Sequence, residues 1–154
     1  MGCNRGHNLV LLSTLFQGST VVGIDPNLNA LSLAQEHDAH IDLLQAHSFD
    51  IPFRGESFDL AFTCGVLIHV ALPDLPAALK EIYRVTCRYI LAVEYFAEQE
   101  TAIHYRGYDD LLWKRDFLEH YRKLFPDLAL LRTGTWDRAD GFDACRWWLM
   151  EKHA

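Results

Sequence analysis

Gly2-Cys3-Asn4-Arg5-Gly6, with Asp25 about twenty residues further on, is the part of the chain whose residue types and spacing most directly suggest chemistry. Small residues let the backbone come close to a ligand, and a helix starting just after them turns unpaired N–H groups toward it. A carboxylate at the end of the next strand, Val21-Val22-Gly23-Ile24-Asp25, is placed to accept from ribose hydroxyls. Gly-x-x-x-Gly alone fits an ordinary helix-start turn equally well. The context favours a cradle for a nucleotide-like cofactor: apolar spacing at Leu9, Val10, Leu12, Leu15 and Phe16, a stop at Gly18, then a β-branched run and the acid.

Other residues carry chemistry with an alternative beside it. His69 follows a hydrophobic run and reads as a general base, or as a helix cap or solvent-facing ring. Tyr105 and Arg106, with Tyr108 close by, could grip an anionic substrate through the planar guanidinium fork. Alternatively Arg106 ties down its own loop through Asp109 or Asp110. The cysteines, Cys3, Cys64, Cys87 and Cys145, have no metal-ligand or Cys-x-x-Cys spacing and read as free buried thiols in a reducing cytoplasm. No metal site is expected.

The elements that must position these residues alternate in an α/β pattern. The spacing predicts a helix over 27–37, a short strand over 42–46, and a strand over 57–63 whose near-continuous apolar run implies burial on both faces. A helix is expected over 73–84, with Leu75, Leu79, Ile82 and Tyr83 on one side, and a buried strand over 89–93 ending at Glu94-Tyr95. Residues 96–112 are polar and aromatic, a long connection read as an excursion over the cofactor site. A helix over 114–125 stops at Pro126, and strands over 128–133 and 144–151 close the chain. Trp147 and Trp148 alternate sides of the last strand, so one is expected in the core and the other at the surface or an interface. A buried strand normally leads into such a glycine loop, yet only Met1 precedes Gly2; the expectation is a single domain over 1–154 without its first strand.

The chain has 154 residues, half of them hydrophobic, and a formal net charge of −7. That fits a globular domain with a sizeable core and argues against nucleic acid as substrate, which calls for a basic face. Lys114, Arg115, Arg122 and Lys123 form a small basic cluster that reads as a solvated helix face. No apolar run reaches membrane-spanning length, and the N-terminus shows no signal-peptide pattern.

Across Gly2-Cys3-Asn4-Arg5-Gly6, Gly23-Ile24-Asp25, Asp50-Ile51-Pro52-Phe53, Ser57-Phe58-Asp59 and Val66-Leu67-Ile68-His69, the chain resembles class I S-adenosylmethionine-dependent methyltransferases. More narrowly it is similar to the methylases associated with pseudaminic acid biosynthesis. The pieces that carry this likeness are Gly2-Cys3-Asn4 with Asn8-Leu9, Gly65-Val66-Leu67-Ile68-His69, Arg88-Tyr89-Ile90-Leu91, Glu94-Tyr95, and above all Tyr105-Arg106-Gly107 leading into Lys114-Arg115-Asp116-Phe117. The resemblance implies a Rossmann-like doubly wound sheet, mostly parallel with a reversed last strand, and S-adenosylmethionine as cofactor. It also implies a small-molecule methyl acceptor, a sugar or sugar nucleotide. It places Gly2, Cys3, Asn4, Gly6, Asp25, Pro26, His47, Ser48 and Phe49 around the cofactor, with Thr63, Cys64 and Gly65 toward its methionine end. Many relatives have an acid where His47 stands, which moves adenine recognition to the backbone or Ser48. The competing readings are a Rossmann-type enzyme using NAD and a non-catalytic methyltransferase fragment.

Overall fold

Gly6 starts the first helix in a left-handed conformation, φ 78°, and a Cβ there would come within 3.0 Å of the Ala34 Cβ. Glycine is therefore required twice over, by the backbone and by the close approach of a second helix. The computed structural model describes residues 1–37, 41–141 and 143–153. Within these the chain divides into two compact units, 1–52 and 53–154.

The first unit carries α1 (His7–Leu15), β1 (Val22–Asp25), α2 (Leu28–His37) and β2 (Asp42–Gln45). β1 and β2 pair in parallel, Val22 opposite Asp42 through Asp25 opposite Gln45. The expected helix start at Asn27 is displaced by one residue because Asn27 is the cap. Its Oδ1 accepts from the N–H groups of Asn29 at 3.0 Å and Ala30 at 3.3 Å. Leu9, Ile24, Leu31, Ala34, Ile41 and Ile51 are among the buried side chains of this unit.

The second unit carries β3 (Phe58–Cys64), a 3-10 turn (Leu67–His69), α3 (Leu75–Val85), β4 (Thr86–Tyr95), β5 (Thr101–Ala102), β6 (Trp113–Lys114), α4 (Phe117–Leu124), β7 (Leu128–Trp136), a second 3-10 turn (Arg138–Asp140) and β8 (Cys145–Lys152). Its main sheet has the order β3-β4-β8-β7. β3 and β4 are parallel, and β8 runs antiparallel to both β4 and β7. That is the expected reversed last strand. α3 packs through Leu75, Ala78, Leu79, Ile82 and Val85, all buried, at helical spacing. Trp148 is in the core, whereas Trp147 is half-buried and lies over Gly134. Among the described residues no helix is long and apolar enough to cross a membrane.

Four expectations fail here. β3 is not buried on both faces. It is the outer strand of its four-stranded sheet, and of its residues only Thr63 is fully buried. The helix expected over 114–125 begins instead at Phe117, because Trp113 and Lys114 pair with Ala102 and Thr101 and the Asp116 carboxylate caps the helix through Glu119 N–H at 3.1 Å. The basic cluster is consequently not one solvated face. Only Arg122 and Lys123 lie on α4, in its last turn where cations suit the helix dipole, and Arg115 is buried. The expected burial of the cysteines holds for Cys145 alone; Cys64 and Cys87 are exposed and Cys3 is half-buried.

Candidate functional site

The glycine loop is tied to the end of β1 by two of its N–H groups. Cys3 N–H donates to Ile24 C=O at 3.0 Å, and Asn4 N–H donates to the Asp25 carboxylate at 2.8 Å. The other Asp25 oxygen accepts from Asn27 N–H at 2.9 Å. Asp25 is only 8% exposed, so its carboxylate is held rigid between the loop and the start of α2. Asn4 sits at φ 47° and Gly2 at φ 58°, which curls the loop. The N–H groups of Leu9 and Val10 turn back to Gly6 C=O.

The segment after β2 comes to the same end. Ala46 N–H donates to Asp25 C=O at 3.3 Å, and His47 bridges to Asp50 across Ser48 and Phe49. Gln45 reaches Pro26 C=O at 3.0 Å. Gly2, Cys3, Asn4, Gly6, Asp25, Pro26, His47, Ser48 and Phe49 therefore gather at the C-terminal ends of two parallel strands. That is where α/β sheets hold ligands. The Phe49 ring is exposed there, an apolar face for a flat ring.

In the second unit, Thr63 and Cys64 end β3, and Gly65 turns at φ 63° with its N–H on Val93 C=O at 2.9 Å. The turn that follows is gripped at three points. Its amide groups are held by Glu94, which sequence reasoning left without a role. The Glu94 carboxylate accepts from Val66 N–H at 3.0 Å and Ile68 N–H at 3.4 Å. At its far end, Arg115 Nη1 donates to Val70 C=O at 3.1 Å. Between them, His69 Nδ1 lies 2.7 Å from Leu111 C=O. A carbonyl only accepts, so Nδ1 carries the proton and the neutral ring keeps its lone pair on Nε2. Glu94 is 1% exposed. Burial pushes its carboxyl up to about 7, while the Thr63 side chain and the N–H groups of Val66, Leu67 and Ile68 favour the charged form. The available signal was an acid at the end of a buried strand, which shows a location but not a partner.

The excursion 96–112 supplies the remaining residues. β5 pairs with β6, and Ile103 N–H reaches Leu112 C=O at 2.9 Å, so the segment doubles back on itself. Its tip is Tyr105-Arg106-Gly107-Tyr108, with Arg106 at φ 52° and Gly107 at φ 88° and mutual Tyr105–Tyr108 backbone bonds of 2.8 and 3.0 Å. Two positive φ values mark a type I′ hairpin turn. The Tyr105 ring centroid is 5.7 Å from that of His69. The Arg106 guanidinium lies over the Tyr105 ring at 5.1 Å, and Asp109 pairs with His104 at 2.7 Å. Tyr105, Arg106 and His69 are thus brought together, and Tyr108, paired with Tyr105, stays exposed.

A family model described as "Methyltransferase domain" matches residues 1–88. The ubiquinone/menaquinone biosynthesis C-methyltransferase of Rhizobium meliloti is 34% identical over 109 residues, covering 66% of this chain and 40% of that protein. The chain therefore spans well under half the length of that curated relative. Two solved structures share the fold. A S-adenosylmethionine-dependent methyltransferase from Methanosarcina mazei aligns with a TM-score of 0.77 at 18% identity, over 98% of this chain and 89% of the other. The 1,6-didemethyltoxoflavin-N1-methyltransferase of Burkholderia thailandensis, with 1,6-didemethyltoxoflavin and S-adenosylhomocysteine bound, aligns with a TM-score of 0.77 at 15% identity, over 99% of this chain and 69% of the other.

Proposed function

The chain belongs to the methyltransferase-domain family, and from that premise we propose that it binds S-adenosylmethionine and directs its methyl group to a small-molecule acceptor. The observation that carries this reading is the glycine loop pinned to Asp25 at the ends of β1 and β2. The residues present suit the cofactor. The loop offers small residues, the Asp25 carboxylate keeps lone pairs for ribose hydroxyls, and Phe49 offers a face to adenine. Ser48 and the 46–49 backbone take the adenine edge, with His47 beside it. The roles of Thr63, Cys64 and Gly65 toward the methionine end are carried over from the resemblance.

When bound, the cofactor supplies a methyl group on a sulfonium, already activated for in-line displacement. The chain then has to orient the acceptor and accept its proton. His69 Nε2 has the lone pair for that, because Leu111 holds the other nitrogen as donor. Tyr105, Arg106 and Tyr108 form the acceptor-recognising tip. The acceptor is a sugar or sugar nucleotide of surface-glycan biosynthesis of the pseudaminic acid type. This rests on the likeness at Tyr105-Arg106-Gly107 and Lys114-Arg115-Asp116-Phe117. The NAD reading gives way to the family match.

Titration calorimetry with S-adenosylmethionine and with NAD tests the cofactor assignment. Saturable heat with the former alone is expected. Binding of NAD alone, or equal affinity of the parent and Asp25→Ala for S-adenosylmethionine, would reject it.

A further inference from the structure

Among the described residues Arg115 is the buried arginine, with its side chain 2% exposed. A guanidinium has five N–H donors, and removing its charge from water is costly unless the donors are matched. Here the match is partial. Nη1 donates to Val70 C=O, and the Trp113 and Phe117 rings flank the group at 5.4 Å each. The opposite edge, formed by Nε and Nη2, has no hydrogen bond, and both nitrogens are shut off from solvent. A Glu100 carboxylate oxygen stands 3.1 Å from Nε, close enough to pair in charge but not aligned as an acceptor. Clamping Val70 needs one N–H; it does not account for a buried cation with a whole fork left over.

The Nε/Nη2 edge is the side of arginine that takes a planar carboxylate through two parallel bonds. We propose that this edge of Arg115 is a receptor for a carboxylate on the methyl acceptor, and that Glu100 is an internal carboxylate that fills it loosely until the acceptor displaces it. Three observations carry this. The fork is unmatched, an oxygen of the right kind already sits at its mouth, and that oxygen belongs to a side chain 40% exposed, on the segment just before β5. Val70, on the other end of the guanidinium, directly follows His69. A carboxylate held at Arg115 would therefore be anchored to the turn that carries the candidate base. The proposal rests on the methyltransferase reading above and narrows its acceptor to an acidic small molecule, such as a sugar acid.

The test uses the full chain with D-glucuronate, its uncharged amide and inorganic phosphate as probes, and S-adenosylmethionine titrated separately into the same preparations. Glu100→Gln removes the internal competitor at a partly exposed position. It should bind glucuronate about tenfold more tightly than the parent, since a tethered rival acts at a high effective concentration. The amide should show no gain, and adding Arg115→Lys to Glu100→Gln should abolish it. Unchanged glucuronate affinity in Glu100→Gln, an equal gain for the amide, or phosphate outcompeting glucuronate would each overturn the carboxylate assignment. The S-adenosylmethionine titration separates the two claims. Cofactor binding without a glucuronate gain leaves the methyltransferase reading and sinks the fork; the converse sinks the former and keeps the latter.

Discussion

Asp25 supports two backbone N–H groups at once, so its replacement acts on the loop as well as on the ribose contacts. Asp25→Ala should weaken S-adenosylmethionine binding by on the order of 2–4 kcal/mol in calorimetry. Asp25→Asn keeps one acceptor oxygen and should lose less. Glu94 makes a different prediction because its carboxyl stands at about 7, above the ordinary 4.5. The folded state holds a proton that the unfolded chain releases, so the contribution of Glu94 to stability is complete below pH 4.5 and is lost as pH rises toward 7. Urea titrations from pH 4 to 8 should show the parent losing stability across that window relative to Glu94→Gln, whose amide does not titrate. Parallel curves would mean that the carboxyl titrates in its ordinary range.

The hairpin tip separates recognition from stability at the scale of an element. Arg106 holds φ 52°, a region that costs a residue with a side chain roughly 1 kcal/mol. Arg106→Gly should therefore melt at or above the parent temperature while raising the acceptor KM, with cofactor affinity unchanged. A lower melting temperature with normal kinetics would make the arginine structural. β7 and β8 carry a second element-scale constraint. A Cβ at Gly134 would come 2.7–2.9 Å from the Trp147 indole, and Trp147 packs in turn on Trp136 at 6.0 Å. Gly134→Ala should cost about 1–3 kcal/mol in chemical denaturation, because a rigid ring in a strand pair has little room to move.

For the whole molecule, the cofactor contacts proposed in residues 1–52 should appear as ligand-linked stability. A ligand present at a hundred times its Kd stabilises the state it binds by about 2.7 kcal/mol. Melts with saturating S-adenosylmethionine should rise accordingly, and hydrogen exchange should slow at residues 2–6, 25–27 and 46–49. Equal melting curves with and without the cofactor, at concentrations where calorimetry shows saturation, would contradict the placement of the cradle in this segment.

Much of the first unit was legible in the sequence because its signals are local. The glycines, the apolar spacing of α1 and the acid after a β-branched run lie within a few residues of what they organise, and Asp25 bonds to Asn27 two positions away. The two closing strands after α4 were also readable, and the family resemblance implied the reversal of β8. Tertiary structure alone decided the environments of single side chains. Arg115 looked like one of four solvated cations because sequence neighbours do not reveal that Thr101 and Ala102 pair with Lys114 and Trp113, so that the helix starts only at Phe117, after Arg115. Glu94 was legible as a strand-end acid, but its partners lie 26 and 28 residues away. Burial and ionisation depend on such distant contacts, whereas backbone pattern depends mainly on the residues next door.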